Sequence, residues 1–218
     1  MRILSLGGIV GPIVFVVVVM LAAALRPDYS HVTNFISELG ATGTTNAALM
    51  NYAGFVPAGL MLAAFGVALA WALPRHRLTI VAAALVFLFG SGVAASGFIS
   101  CDAGCPQTEG SIENLAHNAI APISFLCLIL GAGILGIYFR RLSAWRAFSV
   151  YSLLTSALAL CFLVALASSL DTRALTGLWQ RLLLSVSLLW CAVIGLRAFQ
   201  YPTALRSPSN KGRSHDSD

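Results

Sequence analysis

In a chain of 218 residues of which only 10% are charged, three short polar stretches hold the side chains able to do chemistry. The first, within Arg26–Gly40, carries His31, Asn34, Ser37 and Glu38. The second is Ser100-Cys101-Asp102-Ala103-Gly104-Cys105. The third, Glu113-Asn114-Leu115-Ala116-His117, sets Glu113 and His117 four apart, on one helical face. His31, Asp102, Glu113 and His117 include the two imidazoles and a carboxylate of a recurrent catalytic zinc set, with Asp102 and His117 the leading metal candidates. No HExxH or HxxxH spacing accompanies them, and an ordinary Glu113–His117 hydrogen bond explains the pair as well. Ser37, His117 and Asp102 are also the types of a hydrolytic triad. A triad is recognised by geometry, no G-x-S-x-G elbow is present, and Ser37 can simply bond back within its own helix. Cys101 and Cys105 flank a turn at Gly104. In an oxidising compartment they form a disulfide, and the second Cys/His pair that a structural zinc site needs is missing.

The elements that must position these residues are membrane helices. The chain is 58% hydrophobic with a mean hydropathy of +0.86, outside the range of soluble domains. Six apolar spans, about Ile3–Leu25, Met50–Leu73, Leu78–Ile99, His117–Phe139, Ala147–Ser168 and Leu178–Phe199, are each long enough to cross a bilayer. Backbone in lipid must satisfy its own hydrogen bonds, which makes them helices. The run after Arg2 exceeds the length of a secretory signal core, so the first span reads as a retained helix. The fold class expected is all-α: a polytopic six-helix transmembrane bundle. Val32, Phe35, Ile36 and Leu39 form one apolar stripe, which predicts a short amphipathic interfacial helix over about 30–39 with His31, Asn34, Ser37 and Glu38 on its polar face. An unpaired carboxylate near the hydrocarbon is costly, so Glu38 is expected to have a partner, and His117, which opens the fourth span at the same depth, is the one expected.

Charge sets the orientation. With the N-terminus in the cytoplasm, ten Arg and Lys fall inside and three, Arg26, Arg173 and Arg181, fall outside. The expected location is a bacterial inner membrane with both termini cytoplasmic and the three polar stretches on the outer face. The net charge of +5 is spread over short loops and the tail, which fits topology and not nucleic acid. No acidic residue lies within a span, which argues against a proton-relay transporter. Residues 1–200 form the membrane domain, and 201–218 read as a disordered cytoplasmic tail.

The run Asp28-Tyr29-Ser30, Asn34-Phe35-Ile36-Ser37-Glu38-Leu39-Gly40 and Ala47-Ala48-Leu49-Met50-Asn51, followed by a Gly/Pro-interrupted second helix, Cys101-Asp102 and His117, resembles a bacterial and archaeal integral-membrane family. That family is catalogued as domain of unknown function 998. The resemblance covers the chain from the first helix to the sixth and implies a six- or seven-helix membrane protein; it implies no activity. A looser likeness to zinc-dependent lipid hydrolases lacks their late H-x-x-x-H. The functional expectation is a polar site at the outer face that binds a lipid, a small amphiphile or a partner protein. The alternative is a metal-dependent hydrolase or transferase acting on a lipid headgroup, with zinc as the possible cofactor. Oligomeric state is not legible from these residues.

Overall fold

The computed structural model describes residues 2–200. The tail expectation for 201–218 lies outside the described residues. Among the described residues, six helices are long and apolar enough to cross a membrane: α1 (Arg2–Ala24), α2 (Leu49–Ala72), α3 (Arg77–Ala95), α4 (Ile112–Phe139), α5 (Ala147–Ser168) and α6 (Thr176–Gln200). The protein is a multi-pass membrane protein. Each helix packs on the next, and α6 returns to α1, so the bundle closes into a ring.

Close approach depends on small residues, as expected for helices whose surroundings are as apolar as their own side chains. At the α2–α3 seam, a Cβ added to Gly66 would stand 2.5 Å from the backbone of Phe87, and Gly59 and Gly90 meet Ala94 and Ala63 still more tightly. Hydroxyls supply the polar links between helices. Ser149 and Ser156 on α5 donate to Gly136 O (2.7 Å) and Ile129 O (2.8 Å) on α4, and Trp190 on α6 donates to Ser152 Oγ at 3.0 Å.

The connections are tight at one end and long at the other. At the tight end, Arg2 donates to Phe199 O at 2.9 and 3.0 Å, and Arg197 donates to Ala144 O at 2.7 Å. Trp145 there is buried and stacks on Phe139 at 4.9 Å. The opposite, long-loop end carries segments 25–48, 96–111 and 169–175. Helix α4 begins at Ile112 and is capped by Ser111, whose Oγ accepts the Asn114 N–H at 3.1 Å. Glu113 therefore stands in the first turn, where the helix dipole favours a carboxylate. Helix α2 opens with widened π turns over Leu49–Phe55, just ahead of Pro57.

The amphipathic segment differs from expectation. Helical geometry covers only a 3-10 stretch, Ile36–Gly40, preceded by turns and an extended Phe35. Local side chains capture the backbone first: Ser30 Oγ accepts the N–H groups of Val32 and Thr33, both at 3.3 Å, and Asn34 Oδ1 accepts Ser30 N–H at 2.8 Å. Phe35, Ile36 and Leu39 are buried as the apolar stripe requires, while Val32 is exposed.

Candidate functional site

Without a continuous helix, the four polar residues of the first stretch diverge. Glu38 turns into the protein and is 3% exposed. Its Oε1 accepts Phe35 N–H at 3.0 Å and Arg173 Nη1 at 3.1 Å, and its Oε2 accepts Asn34 Nδ2 at 2.7 Å. The partner of Glu38 is therefore Arg173, from the loop before α6, and not His117. Arg173 also lies 4.7 Å above the Phe35 ring and donates to the carbonyls of Gly104 and Cys105. One guanidinium thus clasps all three long loops. Further links reinforce it. Thr42 N–H donates to Cys101 O at 2.8 Å, and Asn51 Nδ2 reaches Gly40 O at 2.9 Å and Ser100 Oγ at 3.0 Å. Arg26 donates to the main-chain O of Glu38 at 2.6 Å.

The second and third stretches form another knot. Asp102 takes both donors of Ser111, its N–H at 2.6 Å and its hydroxyl at 2.8 Å. Glu113 accepts Ser100 N–H at 2.7 Å, and His117 Nδ1 lies 2.7 Å from Ile99 O. Glu113 and His117 thus hold consecutive residues of the chain leaving α3. Asn114, fully buried, accepts Asp102 N–H and donates to Pro106 O and Glu109 O. Asp102 and Glu113 are engaged in organising this loop. Among the described residues, no three His, Cys, Asp or Glu side chains are grouped to hold a metal ion. Asp102 and His117 each face a different partner, so these positions do not form the donor set that zinc needs. The triad of Ser37, His117 and Asp102 is likewise not assembled, since a backbone carbonyl and not Asp102 orients the imidazole.

Cys101 and Cys105 are joined as a disulfide, with Cα atoms 5.0 Å apart. The bridge packs on Ser37: Cys101 Sγ lies 3.7 Å from Ser37 O, and Cys105 Sγ lies 3.6 Å from Ser37 Oγ. Ser37 lines a cavity of about 150 Å³ among α4, α5 and α6. His117 lines the same cavity. Gln107, Asn118 and Gln180 complete its polar end. Its apolar walls include Pro122, Phe125, Leu163, Leu166 and Leu170. A smaller void of about 40 Å³ toward the ring interior shares Ser37, His117 and Gln180.

The free hydrogen-bonding capacity of the cavity follows from bonds already made. A carbonyl only accepts, so the neutral His117 ring carries its proton on Nδ1 and leaves Nε2 as an acceptor. Gln180 Oε1 accepts Ile36 N–H at 2.7 Å, leaving its amide NH₂. Asn118 donates to Pro106 O and Gln107 to Cys105 O, leaving an amide oxygen on each. Among the described residues, no Asp, Glu, Lys or Arg lines the cavity.

His31 lies away from this cavity, against α6. Its Nδ1 accepts from Arg181 Nε at 3.1 Å. Slight desolvation of this exposed ring, followed by the neighbouring Arg181 charge, lowers its pKa below the ordinary imidazole value. Burial also raises the pKa of Tyr29, whose hydroxyl donates to Phe35 O at 2.9 Å and accepts from Arg181 at 2.5 Å. Arg26, Arg173 and Arg181, which the sequence counts only as outliers from a charge rule, are thus the organising residues of this face. The signal for them was their isolation: three cations on the acidic side. Gln180 carried no signal beyond being a polar residue near a span end.

A family model described as Protein of unknown function (DUF998) matches residues 9–197. No curated protein and no solved structure matches the chain.

Proposed function

The chain belongs to the DUF998 family, whose description names no activity, and from the cavity itself we propose that the protein binds a small amphiphile with an uncharged polar head. The observation that carries this reading is the lining: five polar side chains at one end, apolar walls at the other, and no permanently charged group. An ionic head would be desolvated there without a counter-charge, which is costly. A hydroxyl or amide head can donate to His117 Nε2 or to the Asn118 and Gln107 oxygens and accept from the Gln180 amide. The hydrophobic tail would lie against Leu163, Leu166 and Leu170. A headgroup hydrolase would need Asp102 and His117 to share a metal or a proton path, whereas Asp102 is held by Ser111 and the His117 ring is oriented by Ile99 O.

The distribution of Arg and Lys supports a companion proposal: a bacterial inner-membrane location with both termini in the cytoplasm and the cavity on the outer face.

The binding test uses decanol, decanoate and decyltrimethylammonium as probes of equal chain length. Decanol should raise the melting temperature of the detergent-purified protein, and the two charged probes should not. Ala167→Trp, which places an indole in the cavity, should remove the decanol effect. Equal stabilisation by the charged probes, or an unaltered decanol response in Ala167→Trp, refutes the reading.

A further inference from the structure

On the other flank of α6, helices α1 and α6 pack tightly only toward the tight end of the bundle. A Cβ on Gly8 would stand 2.7 Å from Cys191 O, and one on Gly195 would stand 2.9 Å from Ser5 O. Toward the long-loop end the facing residues are larger, including Val16, Val19 and Met20 on α1 and Leu184 and Leu188 on α6. A groove of about 610 Å³ opens between them. Along α6 its lining runs from Arg181 to Ala192, a length of roughly 17 Å at the helical rise of about 1.5 Å per residue. That is close to one leaflet, half of a hydrocarbon core of about 30 Å. The walls are apolar apart from Ser185, and the two polar groups at the mouth are His31 and Arg181.

Charge distinguishes this groove from an ordinary lipid-facing seam. Arg181 donates to His31 Nδ1, to Asn34 O and Gly177 O at 3.1 and 2.9 Å, and to Tyr29 Oη, and it lies 5.4 Å above the Tyr29 ring. Every one of these partners is neutral. Among the described residues no carboxylate comes within ion-pairing distance of Arg181, whereas Arg173 has Glu38. A guanidinium at the edge of the hydrocarbon without a counter-ion attracts an anion. Because His31 Nδ1 accepts from Arg181, its neutral ring carries the proton on Nε2, which gives the mouth a second donor. Four of the five guanidinium N–H groups are spent on these partners, and the fifth, on Nη2, remains beside the His31 donor for a phosphate oxygen.

We propose that the α1–α6 groove seats one acyl chain of an anionic glycerophospholipid, with the headgroup phosphate on Arg181 and His31. The length of the groove fits a chain of one leaflet, and the unneutralised cation selects the net-negative headgroup. This site is separate from the uncharged cavity on the opposite flank of α6.

The full chain would be reconstituted with equal amounts of phosphatidylcholine and phosphatidylglycerol of identical acyl chains. Lipid retained after mild detergent extraction is then counted by native mass spectrometry. Phosphatidylglycerol should be retained about fivefold over phosphatidylcholine, the preference expected of one cation at the membrane surface. Arg181→Gln should abolish the preference, and Arg181→Lys should keep it. Ser185→Trp fills the groove without touching the partners of Arg181, and it should remove retention of both lipids; it decides the matter if Arg181→Gln does not fold. Ala167→Trp, which blocks only the other cavity, should leave retention unchanged. Equal retention of the two lipids by the wild-type protein overturns the proposal. So does full retention in Ser185→Trp, or a dimer of the chain lost in Ser185→Trp with no lipid bound.

Discussion

Replacing Arg173 by Ala should destabilise the protein more than replacing its partner, Glu38→Gln. The asymmetry comes from burial. Glu38 is 4% exposed at its side chain and Arg173 is 36% exposed. Removing Arg173 leaves a buried carboxylate with only Phe35 N–H and Asn34 Nδ2 as partners. Breaking a buried ion pair from one side costs about 3–5 kcal/mol, and Arg173→Ala also loses the contact over Phe35 and the bonds to Gly104 and Cys105. Glu38→Gln removes the charge and keeps one acceptor oxygen, for Phe35 N–H, at the loss of the bond from Asn34 Nδ2, and the freed guanidinium can turn toward water. About 1.5–3 kcal/mol, the range for one hydrogen bond to a charged group, is the expected loss. For a chain of this size about 2–4 °C corresponds to 1 kcal/mol, so Arg173→Ala should melt roughly 6–20 °C lower. The assay is tryptophan-fluorescence melting in one detergent, completed by the double variant. The two losses should not add, because the second substitution removes the charge that the first left stranded. The reasoning is refuted if Arg173→Ala melts within about 1 °C of wild type, or if Glu38→Gln is the more damaging change.

Gly40→Ala should cost about 1–3 kcal/mol, the range for forced overpacking, because its Cβ would collide with Asn51 Oδ1; Asn51→Ala alone should destabilise, yet adding it to Gly40→Ala should partly restore the melting temperature. Acidification should weaken the contact between the first loop and α6. The pKa of His31 is depressed in the folded state, so the unfolded chain takes the proton first as pH falls below about 6.5. Stability from this group is therefore present above that pH and lost below it, and His31→Gln should show a smaller drop in melting temperature between pH 7.5 and pH 5. Reducing the Cys101–Cys105 bridge reopens a loop of five residues, which chain entropy values at about 2 kcal/mol; Cys101→Ser should melt lower than wild type in the absence of reductant and equal to it in its presence. Reporter fusions after Arg75 and after Gln107 should report opposite sides of the membrane, inside and outside, and the same side for both would overturn the proposed topology.

The architecture was legible in the sequence because crossing hydrocarbon leaves a chain few choices. An apolar run of about 20 residues must be helical to satisfy its backbone, so six spans could be placed with bounds a few residues from those observed. The loops were less legible. The stripe Val32, Phe35, Ile36 and Leu39 has helical spacing, but Ser30, Asn34 and Glu38 each offer the backbone a competing bond, and the helix shrinks to Ile36–Gly40. Ser37 and His117 line one cavity, a proximity that depends on how the first loop folds over α4. That Glu38 would find a partner was expected from the cost of burying a carboxylate. The partner expected was His117, at the same depth, and the structure pairs Glu38 with Arg173 instead.

Burial, span number and the Cys101–Cys105 bridge are consequences of composition and short separation, and the sequence by itself determined them. The pairing of Glu38 with Arg173, 135 positions away, of Arg181 with His31, and of Gln180 with Ile36 was decided only by closure of the helix ring. Closure brings the start of α6 against the first loop, and no local pattern records a contact between chain segments that far apart.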